Sequence, residues 1–303
     1  MDFYKKIFKS KVLRFKILSA LRFIPDKPML KTQYRIKCGR KLHLDKPERY
    51  TEKMQWYKLY YRDPVMQQCA DKYQVRQYVE SKGLGDILND LYAVYNSPEE
   101  ITLEGLPKEF VLKLSNGSST NLLVEDKDAL DLEEVKQKFR HFYAESGSSA
   151  GREWVYTTDQ KPVVIAEKLL RDPNNALGSL RDYKILCFGG KVAYIICVDG
   201  RYTPDYCHVV YDAEWNKQDV IIGESSNAAN YEKPETFDRM MEIAGILSAD
   251  FPAARIELYS IEGKIYFGEI TYFPWSGYMH FVPDSFDFEL GSKFSLPEKN
   301  HNK

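Results

Sequence analysis

A chain of 303 residues that is 44% apolar and 29% charged is long enough to bury a sizeable core in one large or two ordinary domains, which excludes a low-complexity or disordered protein. The formal charge of -1 is unevenly spread: residues 1–40 carry twelve Lys and Arg against two Asp and Glu, so the head is basic and the rest acidic. A basic excess confined to a head, rather than interleaved with aromatics along a groove, argues against nucleic-acid binding.

At the head, Lys11, Arg14, Lys16 and Arg22 interrupt every apolar run, leaving neither a signal-peptide core nor a membrane-spanning stretch. Phe3, Ile7, Val12, Phe15, Ile17 and Leu18 instead supply the stripe of a basic amphipathic helix. Residues 1–25 then either lie against anionic headgroups or a phosphorylated substrate, or pack on the body as a solvated helix. Five scattered cysteines form no CxxC pair, which predicts reduced thiols and a cytoplasmic protein. Five histidines without HxH or HxxxH spacing argue against zinc.

Residues 1–65 read as mostly helical, "TEKMQWYKLYYRDP" stopping before Pro64. One helix is expected over "VMQQCADKYQVRQYVESKG", closed by Gly83. The period then changes: "DLYAVYNS", "EFVLKLSN" and "TNLLVED" read as strands, and "DLEEVKQKFRHFYAES" as a helix capped at Asp131. Strands return at "PVVIAEKLL" and "DYKILCFGGKVAYIICVDG", the latter a hairpin turning at Gly189-Gly190. A helix "ETFDRMMEIAGILSADF" precedes "RIELYSIEGKIYFGEITYFPWSG", a second hairpin. The sum is α+β with mostly antiparallel pairs.

In that last hairpin, a three-residue loop "EGK" would set Ile261 opposite Ile265, Tyr259 opposite Phe267 and Glu257 opposite Glu269, with Arg255 and Thr271 on the same face. Facing carboxylates destabilise a sheet unless something positive lies between them. A hard divalent cation such as Mg²⁺ would serve; so would neutralisation by Arg255, or exposure to solvent. Upstream, Lys113 ends an apolar run and is followed by Ser115-Asn116-Gly117-Ser118-Ser119-Thr120, a loop whose amides and hydroxyls can approach phosphate closely. Lys72 opens a helix, Lys184 sits mid-strand beside Asp182, and Glu167 follows "VVIA". The triplet Asp126-Lys127-Asp128 resembles a sugar-nucleotide metal motif, against which stands a plain loop before the helix at Asp131.

The ordered set "DK…Y…KG", "FVLKLSNGSST", "IAEKLL", "DYKILCF" and "RIELY…GKIYFGEITYFPWSG", Asp71 to Gly277, resembles the TupA-like branch of the ATP-grasp superfamily. The resemblance implies an ATP-grasp fold: a basic helical extension over 1–65, a first subdomain with the phosphate loop over 66–168, and a second with the metal site over 169–303. It assigns ATP phosphates to Lys72, Lys113 and Lys184, the phosphate-covering loop to Gly117, Ser118, Ser119 and Thr120, and the adenine hinge to Glu167, Lys168 and Leu169. Arg255 and Lys184 take catalytic roles, and Glu257, Glu269 and Thr271 bind Mg²⁺. Glu257 stands where the superfamily commonly has Asp, and Thr271 where it commonly has Asn.

The activity implied is an ATP- and Mg²⁺-dependent carboxylate–amine ligase of bacterial surface-polysaccharide assembly. It would join a sugar acid or lipid-linked precursor to an amine, an amino acid for instance, with Tyr272, Phe273, Trp275 and Tyr278 as a lid or as core. A glycosyltransferase of the same pathway, and a nucleotide-binding assembly protein left inactive by Thr271, are the rivals.

Overall fold

The computed structural model describes residues 18, 20–146, 151–157, 160–175, 177, 179–201 and 203–301. The amphipathic helix expected over 1–25 lies mostly outside them. The described part opens on α1 (Asp26–Cys38) and α2 (Tyr50–Tyr60). α2 starts where the Glu52 carboxylate accepts the backbone amides of Glu48 (3.1 Å) and Arg49 (3.3 Å), groups that a helix start otherwise leaves unpaired.

The single helix expected over 65–83 is two helices, α3 (Pro64–Ala70) and α4 (Val75–Ser81). Asp71 breaks it. Its backbone is extended (φ -89°, ψ 124°), and its Oδ1 accepts the amides of Tyr73 (2.9 Å) and Gln74 (3.0 Å) in competition with helical bonding. Gly83, at φ 74°, follows α4 in the left-handed conformation expected of a helix end.

β1 (Leu91–Tyr95), β2 (Phe110–Leu114), β3 (Asn121–Val124), α5 (Leu132–Glu145) and β4 (Val164–Glu167) come next. The strands form an antiparallel sheet in the order β1-β4-β2-β3. Alternation sends Phe110, Leu112, Leu114, Val164 and Ala166 into a core that α5 covers with Val135 and Phe139, so Lys113 and Glu167 stand on the opposite face. Asp131 caps α5 by accepting the amides of Glu133 and Glu134. The triplet Asp126–Asp128 forms a tight turn in which Asp126 accepts the amide of Asp128 (3.0 Å), which favours the plain-loop reading.

The larger sheet uses β5 (Asp182–Phe188), β6 (Lys191–Asp199) and β7 (Cys207–Asp212). After β8 (Ile221–Ile222) and α6 (Phe237–Ser248) the chain returns as β9 (Ala254–Ile261) and β10 (Lys264–Thr271), then β11 (Phe281–Val282) and α7 (Ser285–Lys293). The order is β10-β9-β5-β6-β7, every pair antiparallel, with β8 and β11 paired separately. α6 packs one face through Met240, Ile243, Ala244 and Leu247, whose spacing of three or four residues makes a single stripe. Met66, Val75 and Val79 of α3 and α4 join the same core.

The β9–β10 hairpin departs from the expected register near its turn. The loop holds two residues, Glu262 (φ 48°) and Gly263 (φ 76°), both left-handed as a tight hairpin turn requires, so Lys264 faces Ile261, Ile265 faces Ser260 and Phe267 faces Leu258. A bulge at Gly268 then adds one residue to β10 and restores the pairing of Glu269 with Glu257 and of Thr271 with Arg255. The bulge puts Ile265, Phe267 and Ile270 into one core although their spacing breaks strict alternation. No Cβ fits comfortably at 268: one would lie 3.0 Å from the Glu257 carbonyl and 3.2 Å from its Cβ.

All five cysteines are buried. No helix among the described residues is long and apolar enough to cross a membrane.

Candidate active site

The face of the larger sheet away from α6 carries the charged row. Lys184 on β5 is the cross-strand neighbour of Glu257 on β9, which on its other side neighbours Glu269 on β10. Glu257 gives one oxygen to the Lys184 ammonium and the other to Arg255. Asp182 lies 3.2 Å from Lys184 and 2.6 Å from the Arg201 guanidinium. Thr271 donates to Glu269 (2.8 Å) and accepts from Arg255 (3.1 Å), which stands 3.6 Å from the Glu269 carboxylate. The one side-chain cation paired with both glutamates, among the described residues, is Arg255.

The two carboxyls respond in opposite directions. Burial pushes Glu257 up, but the Arg255 and Lys184 charges outweigh it and hold the group well below the usual carboxylate range. Glu269 is raised, first by burial and then by the charge of Glu257. Arg255, buried like Glu257, stays protonated because the two glutamates overcome its desolvation.

The smaller sheet supplies the second half. Lys113 Nζ lies 2.7 Å from Glu167, whose other oxygen takes Arg76 at 3.3 Å. The next residues form the loop, anchored where the Ser115 hydroxyl donates to Asp71 (2.5 Å), and the Ser115 carbonyl accepts the Lys72 amide (2.8 Å). The Lys72 ammonium donates to the Gly117 carbonyl. Ser118 and Ser119 are exposed, Ser119 at φ 59°, while Thr120 Oγ1 is buried without a partner among the described residues. A Cβ on Gly117 would lie 2.1 Å from Thr120 Oγ1, so this approach needs glycine. At the expected hinge, the amide of Lys168 donates to Asp90 (3.0 Å) and its carbonyl accepts from Asn89 (2.8 Å), with Leu169 half-buried beside it.

Lys72 connects the halves. Its ammonium is depressed by burial and by the charge of Lys113, while Glu269, on the other sheet, pulls the opposite way. Groups separated by nearly two hundred residues thus act on one another across a common space.

A family model described as TupA-like ATPgrasp matches residues 52–295, most of the chain. The chain belongs to the TupA-like ATP-grasp family. Its helices and antiparallel sheets are the ATP-grasp fold implied by the motifs. Among solved structures, this TupA-like chain is similar to an N5-carboxyaminoimidazole ribonucleotide synthetase in complex with ADP (12% identity, 69% of this chain and 46% of that one, TM-score 0.43). It is also similar to D-alanine–D-alanine ligases from Bacillus anthracis, complexed with ATP (16%, 67% and 54%, TM-score 0.42), and from Helicobacter pylori (14%, 81% and 68%, TM-score 0.45). It spans about half the length of the first two. No curated protein matches it.

Several groups around the charged row of this TupA-like chain escaped sequence reasoning. His208, on the unrecognised strand β7, is pushed down to about 4 by burial and then by the charges of Lys184, Arg201 and Arg255, so it is neutral at physiological pH. Its Nε2 meets the Tyr206 hydroxyl (2.7 Å), and its ring stands edge-on to Trp275. Arg76 and Arg201 carried no motif, and Asp182, noted beside Lys184, stands at the first position of β5 directly after Arg181.

Of the four aromatics expected either as a lid or as core, three are core. Tyr272, Phe273 and Tyr278 are buried in the core, and only Trp275 is exposed (40%), its ring 5.1 Å from the Arg255 guanidinium carbon. Trp275 and Ser276 are both left-handed (φ 48° and 55°). Carbonyls of this turn are held by α2, Ser276 by Lys58 (2.6 Å) and Gly277 by Gln55 (2.9 Å).

For magnesium the residues fit. Glu257, Glu269 and Thr271 offer only hard oxygen donors, and Glu269, raised by burial and then by the charge of Glu257, is a group that a cation would relieve. No cluster of three or more His, Cys, Asp or Glu suited to a metal occurs among the described residues, and Mg²⁺ held by one or two carboxylates draws its remaining ligands from phosphates and water.

Proposed function

We propose that this protein is an ATP- and Mg²⁺-dependent carboxylate–amine ligase working through an acyl phosphate, in the assembly of a bacterial surface polysaccharide such as teichuronic acid, capsule or O-antigen. The observation that carries the ligase reading is that the Lys72 ammonium, hydrogen-bonded to Gly117 of the phosphate loop, feels the charge of Glu269 in the Arg255–Glu257–Lys184–Glu269 row of the other sheet. Lys72, Lys113 and Lys184 would neutralise triphosphate charge, and the Gly117–Thr120 loop would close over it. Glu167, Lys168 and Leu169 would border the adenine. Glu257, Glu269 and Thr271 would hold Mg²⁺, which supplies charge neutralisation at the phosphate oxygens.

In the first step a substrate carboxylate oxygen bonds to the γ-phosphorus while the bond to the ADP oxygen breaks. In the second an amine nitrogen bonds to the acyl carbon, phosphate leaves and the nitrogen loses a proton. Arg255 would steady the carbonyl oxygen, and exclusion of water would protect the acyl phosphate from hydrolysis. A sugar acid is the proposed carboxylate and an amine, such as that of an amino acid, the acceptor. The basic head would bring the enzyme to the inner face of the cytoplasmic membrane, where a lipid-linked precursor would be presented.

The test is ADP release from ATP on adding candidate sugar acids and amines, with amide product read by mass. Stimulated release is expected, falling about 100-fold or more in Lys113→Ala and Glu269→Ala. No stimulation, with ATP binding unchanged in both variants, would overturn the reading.

A further inference from the structure

Beside the phosphate loop lies a cavity of about 300 Å³ that none of these roles uses. α3 contributes Gln67 and Gln68, the start of α4 contributes Gln74, the loop contributes Asn116, and the segment before β4 contributes Tyr156 and Gln160. Five carboxamides therefore line one chamber, with no lysine or arginine among them. Its one charged residue, Asp71, is engaged by the amides of Tyr73 and Gln74 and by the Ser115 hydroxyl.

One lining group lacks a partner. Asn116 is only 9% exposed, and its Oδ1 accepts no hydrogen bond among the described residues. A desolvated acceptor left open in this way is costly unless a ligand supplies the donor. The neighbouring amides orient one another, Gln74 donating to Gln160 (2.8 Å) and Gln67 to the Thr157 carbonyl (3.1 Å).

The chemistry of the walls selects the ligand. An anion would find no cation here, and a cation no free carboxylate. An apolar molecule would strand the amides. A neutral ring bearing several hydroxyls satisfies them, because each carboxamide both donates and accepts, while Val155 and Tyr156 offer apolar surface to ring carbons. Tyr156 also links the chamber to the reaction centre: burial and the charges of Glu153, Glu269 and Glu257 raise its hydroxyl, with Arg255 opposing.

We propose that this cavity is an acceptor subsite for a neutral polyhydroxylated ring, one sugar residue of the substrate, held next to the phosphate loop. The assignment rests on reading the adjoining site as that of an ATP-dependent ligase.

Saturation-transfer NMR on the full chain with glucose, galactose and N-acetylglucosamine tests it. At least one sugar should receive transfer at its ring protons and slow amide exchange in residues 64–74 and 154–157. Gln68→Leu and Gln74→Leu should each weaken binding about fivefold, the effect of one lost hydrogen bond. Absence of transfer to all three sugars, protection confined to other segments, or variants that bind as the parent does would overturn the subsite. The exchange measurement uses the unaltered protein and decides the matter even where a variant fails to fold. ADP binding, measured alongside by calorimetry, separates the two readings: its absence counts against the ligase, whereas the subsite stands or falls on the sugar signal.

Discussion

Glu257 and Glu269 are cross-strand neighbours with opposite electrostatic fates, because Glu257 bonds both Lys184 and Arg255 whereas Glu269 only stands 3.6 Å from Arg255. That asymmetry assigns the unmet demand for positive charge to Glu269. Lys184, Glu257 and Glu269 were legible in the sequence as ionisable residues inside apolar runs, since burying such groups demands partners. His208 was not, as a lone histidine in a short strand announces nothing. Its folded value of about 4 lies below the ordinary 6.5, so the unfolded chain binds more protons between those values and stability falls as pH drops through that window. His208→Asn should lose less of its urea midpoint than the parent between neutral pH and about pH 4. Equal losses in the two proteins would contradict this.

The elements that matter most are those where regular pattern fails. The Asp71 break in the α3–α4 segment positions Lys72 and, through the Ser115 hydroxyl, ties it to the loop it serves. A helical period continued through this break, so the sequence reading ran one helix across it; only the capping habit of aspartate spoke against that. In β10 the spacing Ile265, Phe267, Ile270, interrupted by Gly268, is a bulge signature that was present in the sequence. The expected three-residue loop reached the correct glutamate pairing by another route, misplacing the residues nearer the turn. Gly268→Val should cost about 1–3 kcal/mol, because its β-carbon would press on the Glu257 backbone. ADP affinity should fall with it, whereas an unchanged melt and affinity would show that the bulge does not position the site.

At the scale of the molecule, the order of motifs revealed the family, but no spacing could show that two sheets turn their charged faces toward one space. Nor did the sequence disclose how the chain's end is drawn in. Asp287 on α7 accepts the Thr51 amide (3.0 Å) and hydroxyl (2.8 Å) at the start of α2. Gly291 passes so close that an added Cβ would lie 2.1 Å from the Glu48 carbonyl. Gly291→Ala should therefore cost about 2 kcal/mol or more and lower the melting temperature by several degrees, a test of whether this junction is as tight as the contacts imply.

The same α2 helix leads to Lys58, whose ammonium bonds Gly151 (2.9 Å) and Ser276 (2.6 Å) and whose burial drives it down to about 7. Burial favours the uncharged amine, the form that attacks acylating reagents, yet only 1% of the residue meets solvent. A chemically potent amine is thus sealed behind the turn that presents Trp275. The rate at which it takes a label would measure how firmly that turn seals it, without any added probe.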